Sequence, residues 1–301
     1  MRKLQFIFIF SVYTLFVSCK YDKSEETILK GNVAITVDET ILPLMQDQAD
    51  VFQNKYDASL KLIPKSEGET LNDLFNGKTG VAILARDLSE KEKNNFSEKK
   101  IIPKITIFAK DAVTFISNKS TRDTLLALKD VIDFMKGNSV VSIKGLVFDN
   151  PNSSTVSYLK EVAKVDILPE KGVYSLKSND EVIKFVAEND GMIGVIGMNW
   201  IAEPSQNMIS YLEDVNVLSV KGVGSSVFVS PTQNNIAEGT YPLARDLYII
   251  NCQGYSGLGM GFASFIAGDV GQRIVLKSGL LPVRVPGRKL NVRNKIVNDK
   301  E

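Results

Sequence analysis

The chain has no histidine at all. That absence removes Ser-His-Asp and Cys-His nucleophilic catalysis, histidine-ligated zinc and imidazole acid–base chemistry. Cysteine is nearly missing too. Cys19 and Cys252 are the only two and lie far apart, so neither a disulfide framework nor a cysteine-rich metal site follows. Charge of one sign is not in excess: 36 Lys and Arg face 35 Asp and Glu, which gives no electrostatic case for nucleic acid. No internal repeat and no low-complexity stretch is evident, so solenoids and arrays drop out. With no recognisable nucleophile–base pair, catalysis is not expected, and neither a cofactor nor a metal is implied. What remains is an ordinary globular composition. At 301 residues and 44% apolar, the chain is long enough for about two domains.

Residues 1–18 read as a targeting segment. Arg2 and Lys3 form a basic head, and residues 4–17 form an apolar run too short to span a bilayer. The run closes on Phe16-Val17-Ser18-Cys19. A small residue before a cysteine at this place resembles a bacterial lipobox, with Phe16 where leucine is usual. The resemblance implies cleavage before Cys19, lipidation of Cys19 and a membrane anchor; the alternative is a plain signal peptide with an incidental cysteine. Residues 19–30 are polar and aperiodic, which suits a tether. Cys252 follows the apolar run 247–250 and reads as a buried, inert thiol.

Residues 145–163, GLVFDNPNSSTVSYLKEVA, show how the rest is organised. Residues 145–148 suit a buried strand. Asp149-Asn150-Pro151-Asn152 is turn chemistry. Ser153, Ser154 and Thr155 then open a helical pattern with Val156, Leu159, Val162 and Ala163 on one face. A helix N-terminus carries unpaired N–H groups and partial positive charge. The three hydroxyls there either cap the helix or help hold a small oxyanion.

The same unit recurs. Residues 31–37 alternate as a strand, Asp38-Glu39-Thr40 forms a polar loop, and Pro43 suits the first turn of a helix carrying Leu44, Met45, Ala49, Phe52 and Tyr56. Residues 59–64 form another strand, followed by Ser66 and a helix over 69–75. Residues 80–84 form a buried strand that delivers Arg86. Strands alternating with helices indicate α/β units with a largely parallel sheet, where ligands sit beyond the strands' carboxyl ends. Thr40, Ser66, Arg86 and Ser153 all fall there. Further along, 103–108 and 112–117 read as two β runs around Lys110-Asp111, 121–137 as one helix, and 191–200 as a glycine-spaced strand ending in Trp200. Ser178 and Glu181 suggest a capping box. Residues 222–230 and 247–250 read as strands. Residues 262–266 and 272–277 read as helices broken by Gly268 and Gly271.

Several stretches together resemble PstS-like phosphate-binding proteins of ABC transporters. They are Gly257-Leu258…Gly261-Phe262-Ala263-Ser264-Phe265-Ile266, Gly271-Gln272-Arg273-Ile274…Ser278-Gly279-Leu280…Pro282, Gly191-Met192-Ile193-Gly194-Val195, Asn152-Ser153-Ser154-Thr155, residues 80–86, and Tyr241-Pro242-Leu243-Ala244-Arg245. The resemblance covers residues 31–290. It implies an α/β, two-lobed type II periplasmic-binding-protein fold, each lobe a mostly parallel sheet flanked by helices, with two crossover strands. Residues 31–110 and 241–290 would form lobe 1, 111–240 lobe 2, and 291–301 a tail.

The resemblance also implies phosphate or a similar oxyanion as ligand, ABC permease subunits as partners, a monomer, and a lipid-anchored place in the periplasm or at the cell surface. Its anion loops map onto Thr40, Ser66, Arg86, Ser153, Ser154 and Thr155. Two departures stand out. Ser154 replaces a usual glycine, and Asp149 stands roughly where the family often carries arginine, which leaves Arg86 as the expected cation. Asp38 and Glu39 replace small residues. A carboxylate in the cleft accepts the proton that phosphate keeps and sulfate lacks; Asp38, Glu39, Glu67 and Asp149 are the candidates. The other readings are a binding protein for another oxyanion or small organic anion, and an interaction or sensory lipoprotein on the same scaffold.

Overall fold

A computed structural model describes residues 26–202 and 204–285. The signal segment, Cys19, most of the tether and the tail lie outside the described residues. Among the described residues no helix is long and apolar enough to cross a membrane.

The chain opens with β1 (Lys30–Asp38), a single 3-10 turn over Glu39–Ile41, and α1 (Leu42–Lys55), which has proline in its first turn. Next come β2 (Asp57–Lys65), α2 (Glu67–Phe75), β3 (Val81–Leu84) and α3 (Glu90–Glu98). β4 (Lys104–Asn118) is one strand of 15 residues, where two runs were expected. It carries the chain into a second set of elements: β5 (Leu125–Ala127), α4 (Leu128–Met135), β6 (Gly145–Phe148), α5 (Ser154–Ala163), β7 (Val173–Ser175), α6 (Asn179–Glu188) and β8 (Met192–Gly197). The short α7 (Asn199–Ala202) and α8 (Ile209–Glu213) lead to β9 (Val215–Val217), β10 (Ser219–Lys221), β11 (Phe228–Val229) and α9 (Gln233–Ala237). β12 (Ala244–Asn251) returns to the first set, and α10 (Leu258–Ala267), α11 (Asp269–Lys277) and β13 (Leu281–Pro282) complete it.

The main sheet runs β2-β1-β3-β12-β4-β8-β6-β7. Its two wings are parallel: β1 with β2 and β3 on one side, β6 with β7 and β8 on the other. The middle is antiparallel, because β4 and β12 run in opposite directions as the chain leaves and re-enters the first wing. Helices cover both faces of each wing, and the alternation along each strand assigns side chains to opposite cores. On β4, Phe115 packs with Phe148, Val156 and Val195, while Ile116 packs with Val147, Val182 and Ile196 on the opposite face. In the first wing Ile35, Val37, Phe52, Phe108 and Phe262 form one core and Leu74, Leu84, Phe96 and Ile250 the other. The result is the two-lobed α/β architecture expected, with an antiparallel seam between parallel wings.

Several elements differ from expectation. Residues 121–137 do not form one helix. Leu125–Ala127 joins β10 as a strand and only Leu128–Met135 is helical, because β10 offers a partner that the local sequence cannot announce. The strand in 191–200 stops at Gly197, and Trp200 sits in α7. Between 222 and 230 only Phe228–Val229 is strand. Gly268 separates α10 from α11, but Gly271 lies inside α11, where a Cβ would meet the Ile266 carbonyl oxygen at 2.4 Å. Cys252 is half-buried, and burial pushes its thiol up to about 11, so it stays protonated and unreactive at neutral pH.

Residues 26–29 lie as a strap across α10. The α10 N-terminus has no cap from its own residue Gly257; the Glu26 carboxylate fills that place, accepting from the Leu258 N–H at 2.8 Å. The Ile28 carbonyl oxygen passes so close to Gly261 that a Cβ there would lie 1.6 Å from it. Gly261→Ala therefore must displace the strap or the helix. We expect it to cost about 1–3 kcal/mol or more in a denaturant melt; an unchanged midpoint would contradict the strap's packing.

Candidate functional site

The carboxyl ends of the parallel strands from both wings face one another. Loops after β1, β2, β6 and β8 meet there, and β4 and β12 close the space from the seam. The Thr40 and Ser154 hydroxyls, one from each wing, are 3.2 Å apart, with Ser154 donating. The Gly68 N–H reaches the Asn152 carbonyl at 3.4 Å, joining the loop after β2 to the loop after β6. The Trp200 indole N–H donates to the Thr40 carbonyl at 2.8 Å. Thr40, Ser153, Ser154 and Thr155 are all buried. The hydroxyl-bearing turns do converge, and from different lobes.

The cation among them is not the expected one. Arg86 forks onto Glu92, through Nη1 at 2.8 Å and Nη2 at 2.9 Å, and its Nε donates to Glu67 at 3.2 Å. Glu92 is the third residue of α3, and its carboxylate also caps the Ser89 N–H at 2.7 Å. A glutamate in the first turn of α3, six residues downstream, thus engages Arg86 in place of the hydroxyls. Arg245 takes the place instead. It lies on β12, directly opposite Asp111 on β4. Its Nε and Nη2 donate to Asp111 Oδ2 at 3.2 and 3.0 Å, and Nη1 donates to Ser154 Oγ at 2.9 Å. The side chains of Arg245 and Asp111 are 3% and 1% exposed, so the pair is fully removed from water. The guanidinium has N–H groups to spare beyond these three bonds.

The signal for this pair was present in the sequence. Lys110-Asp111 and Arg245-Asp246 are complementary dipeptides on strands that pair antiparallel. Alternation puts Arg245 with Asp111 inside and Lys110 with Asp246, at 2.6 Å, on the half-exposed face. A charged residue inside an otherwise apolar strand marks such a position.

The remaining candidates divide by what holds them. Ser66 caps α2 and donates to Glu69 Oε2 at 2.7 Å. Ser153 caps α5 through the Val156 N–H at 3.4 Å and shares a hydrogen with Thr155 Oγ1 at 2.9 Å. Thr155 also donates to Asp149 Oδ1 at 3.1 Å. Asp149 therefore orders the turn before α5. Glu39 reaches across from the first wing to the start of α6, where the Asn179 N–H and side-chain amide donate to it at 3.3 and 2.6 Å. The same amide donates to Asp149 at 3.3 Å. Ser178 caps α6 by accepting from the Glu181 N–H, but the Glu181 carboxylate accepts from Lys177 rather than closing the box on Ser178. Ser154 and Thr40 are the hydroxyls bound to each other, and Ser154 also accepts from Arg245.

Carboxyls crowd this space, and burial changes their charge. Asp38 is wholly buried. Its Oδ1 accepts from the Thr40 N–H at 3.1 Å, and its Oδ2 has no partner. Burial first, then the nearby Glu67, raises it from the ordinary 3.8 to about 7. Burial, and then Asp149, raises Glu39 from 4.5 to about 8. Burial also raises Glu67, against the pull of Arg86 and Arg245. The acids therefore do not add up to a fully charged cluster. Asp111 faces Arg245, Glu67 faces Arg86, and Asp38 and Glu39 hold protons near neutrality.

A family model described as the PBP superfamily domain matches residues 23–270. The chain belongs to the PBP superfamily. Among solved structures it is similar to a putative phosphate ABC transporter substrate-binding protein with bound phosphate from Clostridium perfringens, with a TM-score of 0.68 at 20% identity over 84% of this chain and 100% of that one. It is also similar to an ABC-type phosphate transport receptor from Vibrio cholerae, with a TM-score of 0.63 at 16% identity over 84% and 100%. The OxyR2 regulatory domain from Vibrio vulnificus matches at 0.53 and 12% identity over 79% and 98%. At these identities the likeness speaks to fold alone, and the fold is shared by transport receptors and regulatory domains. No match to a curated protein was found.

The raised carboxyls make stability depend on pH with a definite sign. Between about 4 and about 8 the folded chain keeps protons on Asp38 and Glu39 that the unfolded chain has lost. Stability contributed by these groups is full below that window and falls as pH rises through it. Thermal melts should give a higher Tm at about pH 5.5 than at about pH 8.5, and Asp38→Asn should flatten the difference. A Tm that climbs with pH in the native chain, or an unchanged slope in the variant, would contradict the protonated state of Asp38.

Proposed function

We propose that the protein is an extracytoplasmic solute-binding lipoprotein that captures inorganic phosphate between its two lobes for ABC-type import. One observation carries the reading: Thr40 from one lobe and Ser154 from the other meet beside the buried guanidinium of Arg245. Hydroxyls and a forked cation in a water-poor space hold a tetrahedral oxyanion through directed bonds rather than through net charge. Asp38 is the carboxyl we assign to the ligand's proton. Its Oδ2 is buried without a partner, and with a pKa raised to about 7 the carboxyl is about half ionised at neutrality; the ionised form is an acceptor that suits a protonated oxyanion and repels sulfate. The lobes follow the divisions 31–110 with 241–290, and 111–240. Glu39 and Trp200 bond across from one to the other and so report on closure.

The same reading assigns Cys19 as the lipidated anchor after cleavage of residues 1–18, with the tether shortened from 19–30 to 19–25 because 26–29 pack on α10 and Lys30 begins β1, a place in the periplasm or at the cell surface, and permease subunits as partners. The chain acts as a monomer and performs no catalysis. The crowd of carboxyls around Arg245 favours one second reading, a sensory or interaction lipoprotein whose cleft no longer takes an anion.

Calorimetric titration of the purified protein with phosphate separates the two. We expect saturable one-site binding accompanied by a change in Trp200 fluorescence. Arg245→Lys, which keeps the charge and loses the fork, should weaken binding by about tenfold or more. No heat and no fluorescence change at millimolar phosphate would remove the transport reading; native affinity in Arg245→Lys would remove Arg245 from the site.

A further inference from the structure

Asn199 begins α7, and its side chain is 1% exposed. Neither Oδ1 nor Nδ2 has a hydrogen-bond partner. Other buried amides among the described residues leave at most one atom unmet; Asn199 leaves both. Burying an unpaired amide is costly, so a folded chain that keeps one has something else to offer it.

Its surroundings indicate what. The point where a Cβ on Gly197 would sit is 2.8 Å from Asn199 Oδ1, 3.1 Å from Thr40 Cγ2 and 3.3 Å from Asp111 Oδ2. The amide oxygen therefore shares the space around Gly197 with the methyl of Thr40, whose hydroxyl meets Ser154, and with the carboxylate that holds Arg245. Gly197 is the residue that lets these three groups come together, because any side chain there would fill the gap among them.

We infer that Asn199 is a specificity-determining residue of the oxyanion site: Nδ2–H donates to an unprotonated ligand oxygen, and Oδ1 accepts from a protonated one. This rests on the oxyanion reading above. An amide offers one donor face and one acceptor face. A fully ionised anion such as sulfate satisfies only the donor and leaves Oδ1 buried and unmet. An oxyanion that keeps a proton, such as hydrogen phosphate, hydrogen arsenate or a phosphonate, satisfies both. Exchanging the amide's oxygen and nitrogen leaves the argument intact, since both atoms are unmet. Asp38 Oδ2, also unmet, is a second acceptor of the same kind. Hydrogen phosphate, with one proton, meets one of these two acceptors, and dihydrogen phosphate, with two, meets both once Asp38 is ionised.

The test uses the purified protein with Asn199→Ala and Asn199→Leu, the second filling the volume without polar atoms. Each is titrated calorimetrically with inorganic phosphate and with sulfate, and each is melted without ligand. The expected result is phosphate affinity lower by about tenfold or more in both variants, with the ligand-free Tm unchanged or raised. Native phosphate affinity in the variants overturns the inference and leaves the oxyanion reading standing. A fall in ligand-free Tm in both variants, in step with the loss of affinity, makes Asn199 a structural residue and also overturns it. A native protein that binds no phosphate removes both claims together.

Discussion

The cleft depends on a single buried ion pair. Arg245 and Asp111 face each other across the antiparallel seam where the chain passes between its two wings, and water is excluded from both. Separately, either charge there would be untenable. Removing one partner of such a pair typically costs about 3–5 kcal/mol, because the other is left buried and uncompensated. The pair sits directly opposite across the two central strands and leaves Nη1 to donate to Ser154. Strand pairing and the placement of the buried guanidinium meet in one contact.

Around that contact the electrostatics are arranged by burial rather than by net charge. The chain as a whole carries a formal charge of +1, and the cleft holds more acids than bases. Two of the acids are paired with arginines, and two are driven toward neutrality by the absence of water. On the proposed reading, an anion approaching Thr40 and Ser154 would meet hydroxyl and guanidinium donors, not a wall of carboxylates.

Most of the fold was legible from local pattern. The strand–turn–helix unit at 145–163 and its counterpart at 31–56 are read from alternation, turn residues and helical spacing, and both form as expected. The hydroxyl turns were visible because serine and threonine at a helix start have few other uses. The cation was not. Arg86 ends a buried strand and looks free in sequence, yet Glu92 claims it, and that pairing depends on where α3 begins. Arg245 was passed over because its role follows from the register of β12 on β4, a long-range fact that no local window contains. The strand at 125–127 was lost for the same reason, since its partner β10 lies about 90 residues on.

The most direct measurement is a crystal structure of the protein grown with phosphate. The account predicts tetrahedral density within hydrogen-bond distance of the Thr40 and Ser154 hydroxyls, the Arg245 guanidinium and Asp38 Oδ2. Phosphate density at Arg86 instead, or an anion bound only on the surface while Arg245 keeps solely to Asp111 and Ser154, would contradict it.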